Sequence, residues 1–102
     1  MHRRILLMAA AVGVLAAPVA QADEALLKKH NCVACHDFNK KVVGPAYKDV
    51  AKKYKGQKGA VAALAEKVKK GGQGAWGPIP MPPNPQVPDA DTRKMVEYIL
   101  SR

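Results

Sequence analysis

Residues 31–37 read NCVACHD and hold the only two cysteines of the 102-residue chain, Cys32 and Cys35, with His36 directly after the second. Cysteines three apart are neighbours on one face of a helical turn, so this short stretch presents two thiols and an imidazole side by side. Whether the chain around them is helical or sheet-like decides what the three groups can do.

Working outward, the flanking sequence is helical. Glu24 towards Cys32 carries Leu26, Leu27, Lys28 and Lys29, all strong helix formers. Pro45 is suited to open a second helix, because its missing N–H is not needed in a first turn. Tyr47, Val50, Ala51 and Tyr54 then recur at i, i+3, i+4 and i+7, the spacing of one buried helical face. Val61, Leu64, Ala65 and Val68 repeat that pattern within Ala60–Lys70, ahead of a stop at Gly71. A fourth helix is expected from Ala90 to Ser101, with Asp89 as its N-cap and Met95, Val96, Ile99 and Leu100 facing inward. No segment alternates as a half-buried strand does, so the fold class is all-α, with four helices and no internal repeat.

Between the third and fourth helices lies GGQGAWGPIPMPPNPQVPD, Gly71 to Asp89, with four glycines and six prolines in 19 residues. Neither helix nor sheet forms across such a stretch. A loop this long in so small a domain needs a functional reason to be ordered. Its apolar members Trp76, Ile79 and Met81 require a surface to pack on, and a flat hydrophobic cofactor supplies one.

The N-terminus has the marks of an export signal. Arg3 and Arg4 precede an apolar run of 13 residues, Ile5 to Ala17, and Ala20-Gln21-Ala22 offers a small-x-small cleavage site. The run is shorter than the ~20 residues that span a bilayer. Residues 1–22 are therefore read as a signal peptide cleaved after Ala22, with the domain occupying 23–102 in the periplasm and no stable membrane insertion. Cleavage removes two arginines and none of the eight acidic residues, taking the formal charge from +9 to +7. A mature chain this short usually needs a disulfide, metal or cofactor to hold together.

C-x-x-C-H is the attachment signature of c-type haem. Cys32 and Cys35 would each form a thioether with a vinyl group, and His36 would reach the iron from below. A thioredoxin-like dithiol also uses C-x-x-C, but on a β-α scaffold that this chain does not offer. A zinc site needs four ligands, and Cys32, Cys35, His36 and His30 all come from one seven-residue segment. A structural disulfide would close a loop too small to stabilise much.

The other face of the haem calls for a second ligand. Met95 belongs to the apolar face of the last helix, whereas Met81 sits in PIPMPPN, where prolines stiffen the backbone. A rigid loop presenting one thioether suits the sixth position, and His/Met ligation raises the haem potential. His30 lies just before Cys32 and is read as a partly exposed histidine.

CVACH, VGPAYKDVA and WGPIPMPPN resemble, in their usual order, the motifs of the small bacterial class I cytochromes c of the c-551/c-552 group, and the resemblance covers residues 23–102. It implies a compact four-helix class I cytochrome c fold around one covalently bound haem c, and a carrier of single electrons. It also implies that the Pro45 carbonyl accepts a hydrogen bond from His36, that Trp76 donates to a haem propionate and that Asn84 bonds the Met81 sulfur. Lys67 stands where relatives often place an arginine near a propionate, and a lysine cannot make the same two-pronged contact. The partners implied are the cytochrome bc complex as donor and a nitrite reductase or terminal oxidase as acceptor.

Two strong axial ligands leave no open position on iron, so a monomeric carrier rather than an enzyme is expected. Lysines 28, 29, 40, 41, 48, 52, 53, 55, 58, 67, 69 and 70 are mostly solvated helix faces, but their excess charge should steer the protein towards acidic docking surfaces. Nucleic acid is not a partner expected of an exported protein. A dithiol oxidoreductase, marked by a reversible disulfide, and a colourless basic binding module remain as alternatives in other classes.

Overall fold

The computed structural model describes residues 19–102, with side chains from Asp23 onward, so residues 1–18 of the signal sequence read in residues 1–22 lie outside the described residues. Helix α1 spans Val19–Lys29, α2 Tyr47–Tyr54, α3 Ala60–Lys70 and α4 Asp89–Leu100. A single 3₁₀ turn, Cys32–Ala34, follows α1. Only two isolated bridges, His36 with Lys41 and Gly72 with Met81, occur among the described residues, and the all-α expectation holds.

Helix α4 is the organiser, packing against α1, α2 and α3. Of the positions expected to face inward, Met95 and Val96 are buried and Ile99 and Leu100 half-buried, while Thr92 and Tyr98, which the spacing did not single out, are buried as well. Leu27 of α1, Tyr47 of α2 and Val87 at the end of the long loop complete a compact core with Met95 and Tyr98, and Phe38, Leu26 and Ile99 pack against it. Burying a Leu or Val side chain stabilises by about 1.5–3 kcal/mol, so a handful of such residues anchors α1 and the loop to α4.

Helix α3 differs. Of its apolar face, Val61, Leu64, Ala65 and Val68 are only half-buried, and Leu64 and Val68 line a cavity rather than the α4 core. The periodicity is that of a buried face, and this face is shared between packing on α4 and the cavity that Leu64 and Val68 line.

Three boundaries depart from the local signals. Helix α1 starts at Val19 rather than Glu24, since Ala20, Gln21 and Ala22 are themselves compatible with helix, and the expected cleavage point falls within it. It ends at Lys29, where Asn31 adopts a left-handed conformation (φ 63°) that asparagine tolerates better than most residues, turning the chain into the cysteine segment. Helix α2 begins at Tyr47 with Ala46 as its cap, not at Pro45, whose carbonyl is engaged by His36. Pro88, not Asp89, occupies the N-cap of α4. Asp89 is instead the first helical residue, and its carboxylate meets the Lys69 ammonium at 2.8 Å.

Candidate functional site

The cysteine segment is wound so that its backbone closes on itself. The amides of Cys35 and His36 both donate to the Cys32 carbonyl, at 3.2 and 3.0 Å, and the amide of Gly44 donates to the Cys35 carbonyl at 2.7 Å. The last bond folds residues 36–43 into a loop that returns the chain beside His36.

His36 is fixed on three sides. Its Nδ1 donates to the Pro45 carbonyl at 2.8 Å, which leaves Nε2 of the neutral ring as the lone-pair nitrogen. The ring stacks on Tyr47, with centroids 5.0 Å apart and planes 18° from parallel. On the third side it lies so close to Gly44 that a β-carbon there would collide with the imidazole. Burial pushes the Tyr47 hydroxyl far above the ordinary tyrosine range and also raises the Cys32 thiol. Both shifts mark an apolar environment that disfavours charge.

The long loop forms the opposite wall. Gly72 and Met81 exchange backbone hydrogen bonds, Met81 N to Gly72 O at 2.8 Å and Gly72 N to Met81 O at 3.1 Å, closing the intervening residues into a lobe. At Gly71, in a left-handed conformation (φ 70°), a β-carbon would strike the Met81 carbonyl and come within 2.8 Å of Pro83 N, so glycine is required where the loop crosses itself. The Asn84 amide N–H donates to the carbonyls of Val68 and Lys69 at 2.9 and 3.2 Å, seating the far limb of the loop on the end of α3.

Cys32, Cys35, His36 and Met81 all line one cavity of about 550 Å³. That volume lies within the ~300–1,000 Å³ of small-molecule and cofactor sites. Tyr54, Leu64, Val68, Pro78, Ile79 and Val96 are among its apolar walls. Two thiols, an imidazole and a thioether on the lining of one largely apolar cavity are a donor set that fits a large flat macrocycle with a central metal. Among the described residues no group of three or more His, Cys, Asp and Glu side chains is arranged to hold a metal ion directly.

The remaining predicted residues are located as follows. Pro45, Trp76, Lys67 and Asn84 all line this cavity. Trp76 is 42% exposed at its rim, with the Lys53 ammonium 4.6 Å above the ring. The side-chain amide of Asn84 donates to the Pro82 carbonyl at 3.1 Å. His30 is more enclosed than expected of a surface histidine, its Nε2 lying 3.1 Å from Asp91 of α4 with the side chain 11% exposed. The stacking role of Tyr47 and the bonds of Lys53 and Lys69 to loop carbonyls were not visible in the sequence, which showed only an apolar helix position and two basic ones.

All-helical architecture with one apolar cavity between a C-x-x-C-H turn and a methionine loop defines a haem-carrying protein of the class I cytochrome type. The cytochrome c family model matches residues 21–102. Cytochrome c-552 of Nitrosomonas europaea is 52% identical over 92 residues, covering 90% of this chain and 89% of that protein. Cytochrome c-551 of Pseudomonas aeruginosa is 52% identical over 99 residues, covering 95% and 94%. The crystal structure of the wild-type Nitrosomonas europaea cytochrome c552 superposes with a TM-score of 0.75 at 51% identity, over 76% of this chain and 96% of that one. This chain belongs to the cytochrome c family, small electron carriers that bind haem c covalently.

Proposed function

We propose that the chain is a soluble periplasmic one-electron carrier in which Cys32 and Cys35 hold haem c through thioethers and His36 and Met81 are the axial ligands. The observation that carries this reading is the convergence of those four side chains on the lining of a single apolar cavity. Haem c, when bound, supplies a one-electron iron couple. The chain supplies the rest. The Pro45 carbonyl holds the His36 proton on Nδ1, orients the ring and raises its basicity. The loop would offer the Met81 thioether to the iron, and the apolar walls would disfavour the more highly charged oxidised state. Trp76 would donate to a propionate, and the Asn84 amide, which donates to the Pro82 carbonyl, would give its second hydrogen to the Met81 sulfur.

With His36 and Met81 both given to the iron the chain would leave it no open position, so the bound haem would supply one-electron transfer without bond making, and enzymatic turnover is negligible. Residues 1–22 serve as the export signal, cleaved after Ala22, and the product is a monomer. Among the described residues no helix is long and apolar enough to cross a membrane. The excess of positive charge favours redox partners with acidic docking surfaces, the cytochrome bc complex as donor and a nitrite reductase or terminal oxidase as acceptor.

The test is the visible spectrum of protein matured in a periplasm with haem-attachment machinery, oxidised and dithionite-reduced, after attempted acid-acetone extraction. The expected result is unextractable haem, a sharp reduced α band and a far-red methionine-to-iron band in the oxidised state. Freely extracted haem, or a colourless protein with a reversible Cys32–Cys35 disulfide, overturns the proposal.

A further inference from the structure

We propose that Lys53 and Lys69 are positioning residues for Met81, two ammonium groups that fasten the opposite ends of the 71–89 loop to the helices beside it. The proposal rests on the reading of Met81 as an axial ligand. It starts from a shortage of donors. Six of the 19 loop residues are prolines, which carry a carbonyl but no N–H. The loop therefore has more acceptors than its own backbone can satisfy; Ala75 and Pro85 are exposed to water, whereas Val87 is buried, where a carbonyl needs a protein donor.

The two lysines supply donors at the two ends. Lys53, in the last turn of α2, donates to the Ala75 carbonyl at 3.0 Å, and its ammonium sits 4.6 Å above Trp76 and 5.6 Å above Tyr54. One cation thus ties the first limb of the loop to α2 through a hydrogen bond to Ala75 and the face of Trp76, while Tyr54 of the same helix lies beside it. Lys69, in the last turn of α3, donates to the Val87 carbonyl at 2.5 Å and the Pro85 carbonyl at 3.5 Å, and pairs with Asp89 at 2.8 Å. All three donors of that ammonium are directed at the final limb. Met81 lies between the two fastenings, in the segment bridged to Gly72.

The sequence pattern makes both lysines part of a solvated basic face available for steering. Their geometry turns them onto the loop instead. Releasing either end lets the Met81 sulfur leave the iron more often, so an external ligand competes for the sixth position more successfully. Ligand exchange moves no electron and requires no co-reactant.

The experiment uses the mature, haem-loaded ferric protein and imidazole, a neutral ligand whose binding does not follow net charge directly. Wild type, Lys53→Met, Lys69→Met, Lys69→Arg and the control Lys58→Met are titrated while the far-red methionine band is followed, and urea unfolding is recorded by circular dichroism. Lys53→Met and Lys69→Met are expected to raise imidazole affinity about two- to five-fold each, the range that exposed charge contacts produce. Lys58→Met leaves it unchanged, and Lys69→Arg, which keeps the charge and donors, recovers at least half of the change. Wild-type imidazole affinity in both methionine variants, with only the urea midpoint altered, overturns the positioning role. Absence of the far-red band from the wild type overturns the axial-ligand reading itself, and the clamp with it.

Discussion

Nδ1 of His36 lies 2.8 Å from the carbonyl oxygen of Pro45, and the same ring rests against the backbone of Gly44, one residue earlier. Two consecutive residues thus hold one imidazole, Pro45 by accepting its proton and Gly44 by having no side chain. The glycine is needed for space rather than for backbone freedom, because a β-carbon at 44 would collide with the ring. Gly44→Ala is expected to destabilise the haem-loaded protein by about 1–3 kcal/mol, as overpacking does. Urea unfolding checks this, and an unchanged midpoint would show that the 36–44 loop yields at little cost.

Tyr98 offers the opposite case. Its ring is packed edge-on against Phe38 at 5.6 Å, yet its buried hydroxyl has no hydrogen-bond partner among the described residues. Removing an unsatisfied buried polar atom relieves a desolvation penalty. Tyr98→Phe is therefore expected to be neutral or to stabilise by up to about 1 kcal/mol. A loss greater than about 1 kcal/mol on denaturant unfolding would reveal a bound water or another partner for the hydroxyl.

The aromatic faces of Phe38 and Tyr98 share one cation. The Arg102 guanidinium stands 5.3 Å from the first ring and 5.0 Å from the second, tying the end of the chain to the core. Arg102→Ala is expected to lower stability by about 0.5–1 kcal/mol, the size of an exposed cation–π contact. The same substitution in a Tyr98→Leu background should cost less, which a double-mutant cycle in urea would measure.

What could be read from residues alone was whatever depends on neighbours along the chain. The faces of α2, α3 and α4 follow from periodicity, and the turn of Cys32, Cys35 and His36 from spacing. Met81 was separable from Met95 because prolines surround one and a helical repeat the other. What could not be read depends on side chains that meet only after folding. Pro45 looks like a helix opener, but its carbonyl is required by His36 and the helix waits until Tyr47. Asp89 looks like a cap, yet an ammonium from α3 reaches it first. The half-burial of Leu64 and Val68 has the same origin, since their period reports an apolar neighbour without saying that a cavity is part of it.

The Lys69–Asp89 pair makes a prediction about acid. The hydrogen bond and charge of Lys69 hold the Asp89 carboxyl below its ordinary value of 3.8. A carboxylate whose pKa is lower in the folded than in the unfolded chain contributes stability that is fully present above the unfolded value. That contribution disappears as pH falls through the folded value. Stability curves of wild type and Asp89→Asn should accordingly differ at neutral pH and converge below pH 3.8. Because the carboxylate is exposed, the difference should also shrink with added salt. Urea midpoints measured across pH at two ionic strengths decide it, and parallel curves would remove the pair from the account of stability.

Not all of the basic residues are equivalent in steering. Lys70 is paired with Glu66 at 2.6 Å and Lys69 with Asp89, so these local charges are offset. Lys41 is exposed and lines the cavity that would hold the haem, so its charge is available to an acidic surface approaching there. At about 10 Å in water a unit pair is worth roughly 0.4 kcal/mol, or about two-fold in rate. Lys41→Gln should thus reduce the low-salt on-rate with an acidic redox partner about two-fold, and Lys70→Gln should reduce it less. Both effects should fade as the Debye length contracts to about 8 Å at physiological salt. Stopped-flow electron transfer across an ionic-strength series measures this, and equal effects from the two substitutions would show that net charge, rather than its placement at the cavity mouth, guides the encounter.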